Sequence, residues 1–146
     1  MRLTLRAALA ILTLTLAGAA GGQTAPVDDR LYRAWGGEEG IRATMEDFFV
    51  RLRADPRTAP FFKDSNREHL VRQLTDQLCE LAGGPCKYEG APMGPAHRDL
   101  DIGKAEFNAL VEVLQQSMDA RGIPFRAQNA MLARLAPMHR EIVTRR

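Results

Sequence analysis

Residues 87–102 read KYEGAPMGPAHRDLDI, and the interpretation of the whole chain depends on this stretch. It is rich in glycine and proline, and it carries His97, one of only 3 histidines among 146 residues. Apolar residues flank this histidine, with Met93 before it and Leu100 and Ile102 after it. Imidazole is the side chain that most often binds metal ions, so His97 is a candidate ligand. A solvated or hydrogen-bonded histidine in a polar loop is the ordinary alternative.

The N-terminus has the layout of a secretory signal peptide. Arg2 and Arg6 precede an apolar run over residues 7–16, AALAILTLTL. Small residues follow this run and offer a signal-peptidase cleavage site after Ala19. This run is too short for a membrane-spanning helix, although an uncleaved anchor is the alternative. We therefore predict an exported protein, periplasmic or secreted, with a signal peptide over 1–20, a flexible leader over 21–30 and one domain over 31–146.

The formal net charge limits the class of partner. It is +2 for the full sequence, and removal of Arg2 and Arg6 with the signal peptide takes away this excess of positive charge. A domain without a basic excess is a poor candidate for nucleic-acid binding. We therefore expect no nucleic-acid partner, and no stable membrane insertion after the signal peptide is cleaved.

The two cysteines, Cys79 and Cys86, are separated by a short segment that contains Gly-Gly-Pro. An exported chain meets an oxidising compartment, and a turn here would bring one cysteine back onto the other, so we predict a disulfide. Two free, half-buried thiols are the alternative. The spacing is not C-x-x-C-H, so covalent attachment of a c-type haem is not indicated.

Apolar residues recur at helical spacing along most of the chain, and no segment alternates with a period of two residues. After a brief helix over 31–35, this pattern predicts four long helices, over 40–53, 65–82, 104–120 and 124–143. The apolar positions of the last are Phe125, Leu132, Leu135 and Ile142. Ser65 and Glu68 predict a capping box, and Pro137 predicts a break in the last helix. The fold is therefore predicted to be all-α. The stretch 83–102 is predicted to be irregular, and long loops of this kind are usually functional or disordered.

Two pairs of residues leave alternatives open. Phe61 and Phe62 are adjacent aromatics that need a cover, and they either cap an ordinary helical core or contact a ligand. Gln73 and Gln77 lie beside the apolar stripe of their helix. Their amides either face inward as hydrogen-bond donors or are solvated on the flank.

An ordered set of short motifs runs through residues 31–143. It comprises Leu31-Tyr32 with Gly36-Gly37, EDFFV at 46–50 with Ala54-Asp55-Pro56, Phe61-Phe62, Gly83-Gly84-Pro85, Tyr88, Gly90, Met93, Ala96-His97, Ile102 and Leu135-Ala136-Pro137. Together these motifs resemble the truncated haemoglobins of group I. The resemblance implies a two-over-two helical sandwich around a b-type haem (iron protoporphyrin IX).

The resemblance also assigns roles to individual residues. His97 would be the proximal ligand of the haem iron, and Phe62 would stack on the porphyrin. The distal side would be lined by Phe49, Leu70, Gln73, Leu74 and Gln77. The proximal side and the adjoining helix would contribute Met93, Ile102, Phe107 and Leu110. His69 is a candidate sixth ligand, with an exposed histidine at a helix start as the alternative, and His139 is expected at the surface.

This chain departs from the family's pattern on the distal side and after the histidine. Many relatives have tyrosine at the position of Phe49 and glutamine at that of Leu74, and both side chains donate hydrogen bonds. Loss of one donor to a bound gas in a dry pocket costs about 1–3 kcal/mol. Distal polarity would then depend on Gln73 or Gln77. Relatives usually have glycine near Asp99 and Asp101, so the turn after His97 is expected to differ.

The implied function is reversible binding of O₂, NO or CO, in oxygen binding and transport or in NO detoxification. An enzymatic version would convert NO and O₂ to nitrate with electrons from a separate reductase. The alternative is a haem-free helical interaction protein of the cell envelope, held together by its disulfide. Replacing His97 would leave that protein unchanged, whereas a haem protein would lose its cofactor and the stability that cofactor binding adds.

Overall fold

The computed structural model describes residues 28–145. Arg146 and residues 1–27, which carry the predicted signal peptide and most of the predicted leader, lie outside the described residues. Within 28–145 the chain forms helices and turns and contains no strand, which confirms the all-α prediction. The helices are α1 (Arg30–Ala34), α2 (Gly37–Ala54), α3 (Ala59–Phe62), α4 (Arg67–Leu81), α5 (Met93–His97), α6 (Lys104–Ala120), α7 (Phe125–Leu135) and α8 (His139–Ile142).

Helix α2 begins at residue 37, three residues before the start that the apolar spacing predicted. The first turn has no apolar periodicity, but it carries Glu38 and Glu39, whose charges favour a helix N-terminus. Gly36 precedes it with a φ of 79°, a left-handed conformation that glycine adopts without steric cost. The helix ends at Ala54, and the next residue, Asp55, is extended because Pro56 follows, as predicted.

The N-terminus of α4 differs from the predicted capping box. The cap is Asn66, whose side-chain oxygen accepts a hydrogen bond from the backbone N–H of His69 at 2.8 Å. The N–H of Ser65 instead donates to the carbonyl of Phe62 and closes the turn after α3. The predicted box of Ser65 and Glu68 is therefore wrong. Asparagine and serine are both good caps, so two adjacent candidates are hard to separate by sequence alone.

The stretch predicted to be irregular over 83–102 contains the short helix α5. Its first turn includes Gly94 and Pro95, and proline is tolerated there because the first N–H groups of a helix need no intrahelical partner. The N–H of Ala96 donates to the carbonyl of Pro92 at 3.0 Å. His97 therefore lies on a helical turn and not in a loop.

The last predicted helix is interrupted near Pro137, as expected. Helix α7 ends at Leu135, a 3₁₀ turn covers Ala136–Met138, and α8 follows. Phe125 was predicted on the apolar face of this helix, but it is 73 % exposed at the first position of α7. Met131 and Ala127 fill the core from this helix instead.

The core forms around α2, which contacts α4 and α6, while α7 contacts α4 and α1. Ile41, Met45 and Leu52 of α2 are fully buried. Burying one such side chain contributes about 1.5–3 kcal/mol to folding. The indole N–H of Trp35 donates to the carbonyl of Ala127 at 3.4 Å and links α1 to α7.

Cys79 and Cys86 form a disulfide, as predicted, with their Cα atoms 5.7 Å apart. The turn between them requires glycine. Gly83 has a φ of 83°, and a Cβ added to Gly84 would lie 2.7 Å from the sulfur of Cys79. The disulfide ties the end of α4 to the segment that leads into α5.

Candidate functional site

The imidazole of His97 is oriented by its own helix. Its Nδ1 lies 2.8 Å from the carbonyl oxygen of Met93, one turn earlier in α5. A carbonyl oxygen only accepts hydrogen bonds, so Nδ1 carries the proton, and the neutral ring then has its lone pair on Nε2. Metal-ligating histidines are commonly held in this way. His97 is therefore prepared to bind a metal through Nε2.

His97 lies in the wall of a cavity of about 100 Å³ that is partly open to solvent. This volume is below the range of about 300–1,000 Å³ for small-molecule and cofactor sites, so the lining residues lie closer together than a bound cofactor requires. The lining is mostly apolar and comprises Thr58, Phe61, Phe62, His97, Leu100, Ile102, Glu106, Phe107, Leu110 and Ile142. Mostly apolar walls and one imidazole suit a largely apolar group that contains a metal ion.

Two elements hold the aromatic side chains of this wall. The short helix α3 presents Phe62, and it is anchored by Thr58, a buried residue whose hydroxyl donates to the carbonyl of Leu52 at 2.7 Å. Phe107 lies in the first turn of α6, where the ring of His139 packs edge-to-face against it with centroids 4.7 Å apart. Contacts within the protein therefore hold α3, which carries Phe62, and the ring of Phe107 on α6.

The structure brings together several of the residues singled out by sequence. The predicted site residues that line the cavity are His97, Phe62, Ile102, Phe107 and Leu110. The lining residues that the predicted set omitted are Thr58, Phe61, Leu100, Glu106 and Ile142. Phe61 and Leu100 had been noted as neighbours of predicted residues, and Ile142 as an apolar position of the last helix. Nothing in the sequence pattern pointed to Glu106.

The predicted distal residues do not line this cavity. Phe49 is a core residue of α2, 3 % exposed, and the guanidinium carbon of Arg53 lies 5.9 Å from the centroid of its ring. Leu70 and Leu74 are partly buried and pack against the core. Their assignment to a distal wall stays a prediction.

Both glutamines of α4 turn inward. Gln77 is 8 % exposed, and its Nε2 lies 3.7 Å from each of the sulfurs of Met93 and Met138. The Oε1 atom of Gln73 is buried and accepts no hydrogen bond from any residue of 28–145. That oxygen approaches Gly90 closely, since a Cβ added there would lie 2.4 Å from it. The inward alternative is thus the one that the structure favours for both amides.

The other two histidines have different surroundings. His69 is exposed in the first turn of α4, outside the cavity lining, and its Nδ1 accepts a hydrogen bond from Arg72 at 3.3 Å. Its Nε2 therefore carries the proton, the reverse of His97. This placement does not support His69 as a sixth ligand. His139, expected at the surface, is half-buried against Phe107.

Glu106 is the one acidic side chain among the lining residues of the cavity within the described chain. Its Oε2 accepts a hydrogen bond from the N–H of Gly103 at 2.9 Å, and its other oxygen is paired with Arg145. The hydrogen bond from Arg145 is the largest influence on this carboxyl and lowers its pKa. Glu106 is therefore ionised at neutral pH, and its charge is balanced by Arg145.

Comparison with known proteins identifies the family. The family profile described as "Bacterial-like globin" matches residues 30–144. The chain is 31 % identical to a group 1 truncated haemoglobin of Mycolicibacterium paratuberculosis over 114 residues, 78 % of this chain and 84 % of that protein. It is 33 % identical to a group 1 truncated haemoglobin of Tetrahymena pyriformis over 93 residues, 64 % of this chain and 77 % of that protein.

Solved structures agree on the fold. The crystal structure of the Tetrahymena pyriformis truncated haemoglobin in its Fe(III) form has a TM-score of 0.74 and 28 % identity, covering 77 % of this chain and 97 % of that one. The 2/2 haemoglobin of Synechococcus has a TM-score of 0.73 at 21 % identity, covering 79 % and 98 %. The helices described above therefore form the two-over-two globin fold.

These findings agree with the cavity and with the imidazole that faces it. Neither the described residues nor the comparisons support the alternative of a haem-free envelope protein. The family is one of haem proteins that bind diatomic gases, and this chain is a group 1 truncated haemoglobin within the bacterial-like globins.

Proposed function

We propose that the chain holds a b-type haem in the cavity beside His97, with Nε2 of His97 as the iron ligand, and binds O₂, NO or CO reversibly. The observation that carries the proposal is the hydrogen bond between Nδ1 of His97 and the carbonyl of Met93. It fixes the tautomer that leaves Nε2 free for a metal. It also limits rotation of the ring.

The residues present fit a haem. Phe62, Ile102 and Phe107 offer apolar surface to a porphyrin, and the cavity of about 100 Å³ has to widen to admit one. Haem supplies an iron with a coordination position for a diatomic gas, and the polarity around that position determines whether the gas is bound or activated. The chain itself supplies the imidazole and the mostly apolar walls.

Distal hydrogen bonding is proposed to come from amides. Phe49 has no hydroxyl to donate to a bound gas. The inward-facing side chains of Gln73 and Gln77 are the polar groups that α4 offers on the proposed distal side of the haem. Gln77 already lies between two methionine sulfurs. Gln73 has an oxygen without a partner in the part of the chain that the structure describes. A bound gas accepts hydrogen bonds, so either amide would act through its Nε2 donor, and the unpartnered oxygen of Gln73 does not distinguish the two.

We also propose that the protein is exported and that any electrons it needs come from a separate protein. The basic and apolar pattern before Ala19 supports secretion or a periplasmic location. No helix within 28–145 has the length and hydropathy to span a membrane. If NO is turned over to nitrate, one electron per cycle must come from a separate reductase.

The proposal is tested on protein purified from an exporting host. Haem content per chain and the pyridine haemochrome spectrum establish uptake and distinguish b-type from covalently attached haem. Laser photolysis of the ferrous CO complex then gives rebinding kinetics. We expect one b-type haem per chain and reversible CO rebinding. A folded chain that takes up no haem, or a haem that binds neither CO, NO nor O₂, would overturn the proposal.

A further inference from the structure

We infer that the end of the chain is a clamp that fixes the wall of the cavity next to His97, and that Arg145 is a positioning residue for this wall. The C-terminal clamp consists of Thr144 and Arg145 with the residues they hold, Asp101, Ile102 and Glu106. The inference rests on the proposed function, because the wall it fixes is the one proposed to hold haem.

The clamp begins with two backbone hydrogen bonds. The N–H groups of Thr144 and Arg145 both donate to the carbonyl oxygen of Ile102, at 2.9 and 3.0 Å. Ile102 lines the cavity and is 9 % exposed. Thr144 and Arg145 are thereby attached directly to a residue of the cavity wall.

The side chain of Arg145 adds two further contacts, one to a residue before Ile102 in the sequence and one to a residue after it. Its guanidinium is paired with Glu106 and lies 3.7 Å from a carboxylate oxygen of Asp101. The same carboxylate of Glu106 accepts from the N–H of Gly103 at 2.9 Å. One arginine therefore joins the end of the chain, the loop after His97 and the first turn of α6.

Gly103 allows this arrangement. A Cβ added to it would lie 2.7 Å from Oε2 of Glu106 and 2.9 Å from Nε of Arg145. The ends of the Glu106 and Arg145 side chains therefore lie directly over the backbone of Gly103, where a Cβ would displace them.

The loop held by the clamp is strained. Asp101 has a φ of 50°, and among residues 28–145 it is the one residue other than glycine with a positive φ. The family pattern leads us to expect glycine near this position, and glycine adopts this conformation without the steric cost that aspartate has. A strained residue persists when its surroundings hold it. The bonds to Ile102 and the charge of Arg145 provide that restraint.

The terminal helix reinforces the same wall. Helix α8 contacts α5, Ile142 lines the cavity, and the ring of His139 packs on Phe107. Release of the clamp would loosen the loop that follows His97 and the apolar wall at Ile102. We expect this to change the position of the imidazole relative to a bound haem and to speed the escape of haem.

The test compares three variants of the full chain with the native protein. Arg145→Ala removes the guanidinium, Arg145→Lys keeps a charge but not the fork that reaches both carboxylates, and Arg140→Ala is the control, an exposed arginine of α8 outside the clamp. The measurements are the rate of haem loss from the ferric protein, the iron–histidine stretching band of the ferrous ligand-free protein, and hydrogen exchange of the amides of residues 99–107.

For Arg145→Ala we expect haem loss to be about two- to fivefold faster, the scale of one partly exposed ion pair. We also expect a shifted or broadened iron–histidine band and faster amide exchange, with Arg145→Lys in between and Arg140→Ala like the native chain. Equal values for Arg145→Ala and Arg140→Ala in all three measurements would overturn the inference. If the native chain takes up no haem, the proposed function fails, and amide exchange of residues 99–107 still tests the clamp.

Discussion

Nδ1 of His97 and the carbonyl oxygen of Met93 lie 2.8 Å apart within a helix of 5 residues. The hydrogen bond exists because α5 is helical, since only a helical turn brings the carbonyl of residue 93 under the ring of residue 97. The backbone conformation of this short segment therefore sets the tautomer of the histidine. A loop at the same place in the sequence would leave the tautomer undetermined.

The cap of α4 can be tested with two neighbouring substitutions. Asn66→Ala removes the side-chain oxygen that accepts from the N–H of His69, and we expect the free energy of unfolding to fall by about 0.5–2 kcal/mol. Ser65→Ala is the matched control and is expected to change it by less than about 0.5 kcal/mol. Urea unfolding followed by circular dichroism measures both. A larger loss for Ser65→Ala than for Asn66→Ala would restore the capping box that the sequence suggested.

The core around α2 gives a second contrast. Leu52 is fully buried, so Leu52→Ala should lower the free energy of unfolding by about 2–5 kcal/mol through lost apolar burial and a cavity. Phe125 is 73 % exposed, and Phe125→Ala should stay within about 0.5 kcal/mol of the native value. Thermal and urea unfolding of the two variants check this. Similar destabilisation by both would mean that Phe125 is packed against something in solution.

The disulfide should contribute measurably to stability. It closes a short loop between Cys79 and Cys86, and restriction of the unfolded chain by such a loop corresponds to about 2–3 kcal/mol. Cys86→Ala leaves Cys79 in its buried position and should lower the free energy of unfolding by that amount. A reducing agent should destabilise the native chain similarly and leave Cys86→Ala unaffected. A native chain insensitive to reductant would argue against this contribution.

Stability should depend on pH through Glu106. Its pKa is lowered in the folded protein by the hydrogen bond from Arg145, so folding favours the ionised form. The stabilisation is then fully present above the ordinary value of about 4.5 and is lost as the pH falls through the lower pKa of the folded state. Glu106→Gln should therefore show a flatter loss of stability than the native chain between neutral and acidic pH. The same pH dependence of the free energy of unfolding in the native chain and in Glu106→Gln would contradict this role of the Glu106 carboxylate.

Much of the fold was predictable because it depends on local patterns. The apolar spacing along α2, α4 and α6 placed these helices correctly to within a few residues, and the break at Pro137 followed from the missing N–H of proline. Helix α5 was not predicted as a helix, because it contains Gly94 and Pro95 and its 5 residues are too few to show a period. It contacts α8, and no local pattern encodes that contact.

The site was predictable where it coincided with a motif. His97, Phe62 and Ile102 line the cavity as the resemblance implied. Ile142 and Arg145 were not predicted for this site, because they reach the cavity wall only through the tertiary fold from the far end of the chain. The distal assignments depended on a helix register that sequence spacing leaves uncertain by one residue, and they stay predictions.

The central claim is that His97 binds haem iron, and the absorption spectrum tests it most directly. Ferric, ferrous and CO-bound ferrous spectra would be recorded for the native chain, for His97→Gly with and without added imidazole, and for His69→Ala as the control. The account predicts a Soret band that shifts with CO in the native chain and in His69→Ala, weakens in His97→Gly, and recovers when imidazole is added. Native-like spectra in His97→Gly without imidazole would contradict it.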